Sequence, residues 1–237
     1  MERPTGTRYD RYFRRHMKDY PLREATVADA AFLAEVIISA EKSGTERLGL
    51  ASLCGLDEGE LRSLLIAMLE EDVDGCEFSP SSFLIAEHDG IPVAALAAWM
   101  EGQSDDMPSK ILKANLIAFT FPAESLRSLQ AHASALADLQ IERERGTLQL
   151  EYLHVDPAHR GKGLAGYLID KQIERALTGE HPPSKVQMQP FSKHFVAVGV
   201  YEKLGFRTAS TYTHTDGMLV DYLPYTERLL MERTLNQ

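Results

Sequence analysis

The stretch TLQLEYLHVDPAHRGKGLAGYLIDKQIERAL, residues 147–177, decides how the rest of the chain is read. Its first part, Thr147 to Val155, is rich in Leu, Tyr and Val and predicts an extended strand, which Asp156-Pro157 stops. A short loop, His159-Arg160-Gly161-Lys162-Gly163, then opens directly into a helical pattern. There Leu164, Leu168, Ile169, Ile173, Ala176 and Leu177 share one stripe, and Asp170, Lys171, Glu174 and Arg175 the opposite one. Such a helix packs on a sheet. Its first turn leaves backbone N–H groups unpaired and turns the positive end of the helix dipole to the loop, where each favourable charge contributes about 0.3–1 kcal/mol. An anionic ligand belongs at that end.

Three phosphate loops compete for the segment. A P-loop requires Ser or Thr after Gly-Lys, and Gly161-Lys162 is followed by Gly163. The run Gly161-Lys162-Gly163-Leu164-Ala165-Gly166 fits GxGxxG, but in a dinucleotide fold the first glycine sits at the strand end and an acid closes the next strand. Here Gly161 lies well beyond Val155, and the candidate next strand, Lys185 to Gln189, offers Gln187 and Gln189. The third pattern is Arg or Gln, two residues, Gly, one residue, then Gly or Ala, and Arg160-Gly161-Lys162-Gly163-Leu164-Ala165 matches it at every fixed position. On this motif the sequence resembles the GNAT superfamily of N-acetyltransferases. Downstream, AVGVYEKLGF (residues 197–206) is similar to the superfamily's helix that carries a catalytic tyrosine.

Composition narrows the classes. No apolar run among the 237 residues approaches the roughly 18 that span a bilayer, which argues against a membrane partner. A net charge of -10 argues against nucleic acid, whose phosphates call for a basic surface. Cys54 and Cys76 have neither metal-ligand spacing nor the density of a disulfide framework, so a reduced, cytoplasmic protein without a metal site is expected. Residues 1–20 carry Arg3, Arg8, Arg11, Arg14, Arg15 and Lys18 without an apolar core after them, and read as a basic N-terminal arm and not a secretion signal.

From Pro21 onward a strand over Leu22 to Ala25 precedes a helix capped by Thr26. A second helix is expected from Asp57 to Leu69, and strands from Ser82 to His88 and Val93 to Met100 flank the turn signal Asp89-Gly90. Helical propensity is high from Ala123 to Glu144, while Ile111 to Phe121 is open between strand, helix and loop. A short strand over Val186 to Met188, a helix from Ser192 to Leu204 stopped by Gly205, and two strands at Arg207 to Thr213 and Thr226 to Thr234 close the chain. This alternation predicts an α/β domain on a mixed, largely antiparallel sheet. The resemblance implies a GNAT-like acyltransferase fold with helices on both faces of the sheet, as one domain over residues 21–237.

The resemblance also implies the site. Backbone amides of Gly161, Lys162, Gly163, Leu164 and Ala165 would hold the pyrophosphate of coenzyme A, with Arg160 and Lys162 adding positive charge. The strand end at Leu153, His154 and Val155 would pair with the pantetheine arm, an amide near Leu153 polarising the thioester carbonyl. His194 stands where many relatives carry an asparagine that bonds the same arm. Tyr201 stands where relatives carry the acid for the departing thiolate: a phenol of pKa about 10 stays protonated at neutral pH yet lies close enough to a thiol's value of about 8.5 to give up its proton. Glu151, the acid on the central strand, is the expected base. His154 has the opposite side-chain parity to Glu151 unless a bulge intervenes.

These readings imply an acetyl-CoA-dependent N-acetyltransferase acting on a primary amine, small molecule or peptide, by direct attack in a ternary complex. The resemblance also allows a homodimer. The competing class is a non-enzymatic acyl-CoA-binding or sensing module, against which Tyr201 speaks. Between Asp57 and Glu77 eight acids face Arg62 alone, from which a cationic acceptor is expected.

Overall fold

The computed structural model describes residues 17–103, 106–215 and 217–235. Seven strands form one sheet: β1 (Leu22–Glu24), β2 (Phe83–His88), β3 (Ile91–Met100), β4 (Leu148–Val155), β5 (Lys185–Met188), β6 (Arg207–Thr213) and β7 (Glu227–Thr234). They lie in the order β1-β2-β3-β4-β5-β7-β6, antiparallel throughout except for the parallel pair β4–β5. The helices are α1 (Ala30–Lys42), α2 (Gly49–Cys54), α3 (Glu58–Glu70), α4 (Ser109–Thr120), α5 (Ala123–Ala131), α6 (Ala133–Ala137), α7 (Leu164–Leu177) and α8 (Phe195–Lys203). None is long and apolar enough to cross a membrane.

The period-two alternation of the central strands divides the core between two faces. Ile85, Ala95, Ala97 and Trp99 pack with Leu33, Ile37, Leu65 and Met68 of α1 and α3, whereas Ala86, Ala94, Leu96, Leu148 and Leu150 pack with Leu168, Ile169 and Ile173 of α7. The sheet therefore carries helices on both faces, as expected. Small side chains at Ala94, Ala95, Ala97 and Ala98 let both layers approach β3. The β2–β3 hairpin turns through Asp89 and Gly90, both at positive φ, the conformation that Asp-Gly favours in a tight hairpin.

Two features of β4 shape the site. Its parallel pairing with β5 covers only Leu148 to Leu150, ending at Leu150↔Met188, so the two strands part beyond Glu151 and Gln189. Against β3 the register jumps from Ala97↔Glu151 to Ala95↔His154, placing Tyr152 and Leu153 opposite Leu96 alone. That is a β-bulge, with Tyr152 at a φ of 55°. It reverses the parity, so Glu151 and His154 face the same side of the sheet, the side of α1.

Departures from expectation lie mainly between the hairpin and β4. The segment left open around Ile111 to Phe121 is helix α4. The helix expected to run to Glu144 ends at Ala137, because Leu139 and Ile141 turn into the core and draw the chain across the sheet edge as an irregular segment. Between α1 and α3 the short helix α2 is stopped by Gly55 in the left-handed region. Of the basic arm, residues 1–16 lie outside the described residues. Met17 and Tyr20 are buried against the α7 side of the sheet, so the arm's last residues are docked.

Candidate active site

The site is built where β4 and β5 part. In an ordinary sheet the β4 edge from Glu151 to Val155 would be paired by its neighbour; here the sheet leaves it open. At the end of that edge the chain turns through a 3-10 turn, Pro157–His159, and Arg160 into α7. Gly161 has φ of 75° and Gly163 φ of 88°, conformations that cost a side chain strain and glycine none. Among the described residues no backbone acceptor takes the N–H groups of Gly161 to Ala165, and the dipole of the 14-residue α7 points at them. The open strand edge and the free amides fit the extended arm and the pyrophosphate of a coenzyme A thioester. Leu164 is buried, so only its backbone is available there.

The other expected cofactor residues gather around this groove. Arg160 folds back so that its Nε donates to Val155 O at 2.9 Å. His154 is held through Nδ1 by Ser39 Oγ of α1 at 2.8 Å. Burial first, and Arg160 second, push both His154 and His194 below the usual histidine pKa, so both rings are neutral at pH 7. His194 precedes α8, and its carbonyl accepts from Val198 N in that helix's first turn. Lys162 reaches away from the loop toward Tyr20, whose hydroxyl lies 3.2 Å from Nζ.

Tyr201 lies on α8 with its ring edge-on to Phe206, the centroids 6.3 Å apart, packed beside the α7 core. Burial pushes its phenol up to about 12, which keeps the proton on Oη across the physiological range. Gly205, at φ of 91°, ends α8 and turns Phe206 into the core.

On the α1 face of the fork the structure assembles charges that the sequence did not single out. Arg143, on the irregular segment before β4, lies over the Trp99 ring at 4.8 Å. Its guanidinium donates to Glu77 through both Nη atoms (3.1 and 2.9 Å), to Ser109 Oγ at 2.7 Å and to Glu151 Oε1 at 2.5 Å. Lys113 of α4 meets Glu77 Oε1 at 2.9 Å. Burial alone would raise the Glu77 carboxyl, but Arg143 and Lys113 outweigh it and hold Glu77 well below the carboxylate range. Glu151, expected as the base, is thus held in an ion pair with the Arg143 guanidinium. Close by, Tyr152 Oη donates to Glu41 Oε1 at 3.3 Å. Burial pushes the Glu41 carboxyl up, against the pull of Lys113 and Arg228.

The acidic stretch 57–77 does not form a wall at this chamber. Asp57 and Glu60 cap α3 reciprocally, Glu58 pairs with Lys42 and Arg62, and Glu70, Glu71, Asp72 and Asp74 are exposed. Only Glu77 enters the chamber, twice neutralised, which leaves the expected cationic acceptor without its supporting observation. Both cysteines are buried, and burial pushes the Cys54 thiol up to about 11, so it offers no thiolate at neutral pH.

Comparison with known proteins agrees with this geometry. No curated protein matches the sequence. An N-acetyltransferase from Staphylococcus aureus Mu50 superposes with a TM-score of 0.62 at 15% identity, covering 90% of this chain and 100% of its own. A crystallised acetyltransferase gives 0.60 at 18% identity (91% and 100%), and the apo form of an agmatine N-acetyltransferase mutant gives 0.56 at 15% identity (92% and 100%). At these identities the likeness is one of fold. The model of the acetyltransferase (GNAT) family matches residues 58–206, from α3 through both glycine-loop and tyrosine motifs to Phe206. With more than half the chain matched and the fork and loop in place, the chain belongs to the acetyltransferase (GNAT) family, as an N-acetyltransferase that uses acetyl-CoA.

Proposed function

We propose that the protein acetylates a primary amine by direct attack in a ternary complex, with residues 21–237 acting as one domain and the arm before it supporting the phosphate loop. The observation that carries this reading is the opening of β4 from β5 directly upstream of a loop of free amides. Bound acetyl-CoA supplies the thioester. The amides from Gly161 to Ala165 hold the pyrophosphate, Arg160 adds charge, and the open edge at Leu153, His154 and Val155 fixes the arm in extended form. An N–H donor of that edge, near Leu153, stabilises the carbonyl oxygen. His194, neutral and at the start of α8, is available as a hydrogen-bonding partner for the same arm.

Tyr201 Oη is the proton donor to the departing thiolate: its raised pKa guarantees the protonated form. For the amine proton, Glu41 has the better credentials than Glu151. Its carboxyl is pushed toward neutrality by burial, and Tyr152 Oη, on the bulge at the fork, connects it to the reacting space. Glu151 then acts as the counter-charge that holds Arg143 in place. Neither cysteine serves as an acetyl carrier.

A panel of primary amines assayed for acetyl-CoA-dependent thiol release tests the reading. Formation of an N-acetyl product with Michaelis kinetics in both reactants, and no acetyl group left on the protein after incubation without amine, is the expected result. A stable acetyl-protein would replace direct attack by a relay.

A further inference from the structure

Beside the fork a cleft of about 280 Å³ opens on the α1 face, with Glu77, Lys113, Arg143, Gln189 and Arg228 among its walls. Most of its charges are paired, and the Glu101 carboxylate is held by Ser109 and the Trp99 indole. Arg143 and Lys113 share Glu77, Lys110 meets Glu142 at 2.6 Å, and Arg145 meets Asp106. Arg228 of β7 has no carboxylate within ion-pair distance among the described residues. Its Nη2 donates to the backbone carbonyl of Gln189 at 3.1 Å, its guanidinium lies 5.4 Å from the centre of the Phe191 ring, and its Nε is buried without a partner. Gln189 is 9% exposed, and its Nε2 is likewise buried without a partner.

These two residues are neighbours by construction. Gln189 directly follows Met188, the last residue of β5 paired with β4, and Leu229 N donates to Pro190 O at 2.9 Å while Phe191 bridges to Arg228. The backbone thus sets a guanidinium and a carboxamide side by side at the mouth of the fork. Arg228 Nε and Gln189 Nε2 are both donors, and among the described residues no acceptor meets either. A planar guanidinium with an adjacent amide donor is matched by a carboxylate, which takes two or more N–H bonds in its plane. The nearby carboxylates are committed: Glu77 and Glu151 to Arg143, and Glu41 to the Tyr152 hydroxyl.

We infer that the acceptor is an amino acid in the chemical sense, a primary amine that also carries a carboxylate, and that Arg228 with Gln189 binds that carboxylate in the cleft while the amine lies at the fork. The inference rests on the acetyl-transfer reading above and narrows its acceptor. It also replaces the cationic acceptor expected from the acidic stretch, because the hydrogen-bonding atoms left without partners in this cleft, Arg228 Nε and Gln189 Nε2, are donors.

Matched pairs test it: ω-amino acids of two to six carbons, each beside its own carboxamide, assayed for thiol release with saturating acetyl-CoA. The chain-length series locates the carboxylate relative to the amine. At the best length the wild-type protein is expected to show kcat/KM at least about tenfold higher for the acid than for the amide, corresponding to about 1.4 kcal/mol. In Arg228→Gln that ratio collapses toward one, and in Arg228→Lys part of it returns. Dipeptides with the amine and a free C-terminal carboxylate separate a peptide source of the carboxylate from a free amino acid. Equal or better use of the amide at every length overturns the inference and leaves acetyl transfer standing; so does an unchanged ratio in a folded Arg228→Gln protein. Thiol release from none of the pairs and dipeptides, in a protein that acetylates other primary amines, overturns the inference alone; thiol release with no amine of either set overturns both. The wild-type ratio alone decides the matter if the variants fail to fold.

Discussion

Lys162 Nζ donates to Tyr20 Oη at 3.2 Å across 142 residues of chain, and the same phenol lies 3.0 Å from His159 Nδ1. Because an ammonium can only donate, the tyrosine oxygen accepts from Lys162, and the same hydroxyl shares a hydrogen bond with the histidine. The Tyr20 ring also stacks on His88, centroids 5.0 Å apart. The docked end of the N-terminal arm thereby fastens both flanks of the glycine loop to the β2–β3 hairpin. Replacing Tyr20 by Phe keeps the stacking and removes both hydrogen bonds. At about 1 kcal/mol net for such a bond, acetyl-CoA affinity is expected to fall about fivefold, with little change in kcat at saturation. Calorimetric titration reads this, and an unaltered Kd would mean that the loop holds its shape without the arm.

Gly163→Val addresses the loop directly. A β-branched residue is strained at φ of 88°, and its branch would stand among the free amides. Loss of acetyl-CoA binding with a far-UV spectrum like the wild type is the expected outcome. A variant that binds normally would move the pyrophosphate site elsewhere.

Most of this framework was readable in the sequence because it rests on local rules. The glycine spacing from Arg160 to Ala165 requires positive φ at fixed positions, Gly205 stops a helix, Asp89-Gly90 makes a tight hairpin, and the alternation in β2 to β4 follows from burial on two faces. The chamber was not readable in the same way. Arg143 sits in IERERG, where charge and helical propensity suggest a solvated helix, and only the inward turn of Leu139 and Ile141 brings its guanidinium beneath β4. Glu77 closes a run of acids that looks like a soluble face, yet it alone is 0% exposed. The single available hint was in β4 itself: Glu151 and His154 can share a face only if the strand bulges, and the bulge is what brings Tyr152 to Glu41.

Tyr201→Phe preserves the packing against Phe206 and removes only Oη. Turnover is expected to fall by about 10²-fold while the Kd of acetyl-CoA stays near its wild-type value. With the phenol pushed up to about 12, its ionisation contributes no alkaline limb to the pH–rate profile below about pH 11. An alkaline limb near pH 10 that disappears in the phenylalanine variant would contradict that environment for Tyr201.

Glu77 carries the structural load of the chamber. Its replacement by Ala leaves Arg143 and Lys113 short of a counter-charge in a buried site, and a destabilisation of about 3–5 kcal/mol is expected. Because its carboxyl is held below its unfolded value of 4.5, its contribution is complete above that pH and is lost as pH falls through the folded pKa. Denaturant melts of the wild type should therefore weaken progressively below about pH 4.5, and Glu77→Gln should remove part of that slope. Equal stability of Glu77→Ala and wild type at pH 7 would show that the buried ion cluster is energetically neutral.

For Glu41 the sign is opposite, and that contrast separates a catalytic role from a structural one. Burial raises its folded pKa above 4.5, so the folded protein holds this proton more tightly than the unfolded chain, and stability is lost as pH rises through the window between the two values. Removing the charge by Glu41→Gln should leave the protein at least as stable as wild type at pH 7. As the group that accepts the amine proton, ionised Glu41 also sets the acidic limb of kcat/KM, placed above the ordinary carboxylate range, and the glutamine variant should lose about 10²-fold in turnover together with that limb. Thermal melts and a pH–rate profile on the same preparation decide between the two acids. A stable Glu41→Gln protein with full turnover, beside a Glu151→Gln protein without it, would return the role of base to Glu151.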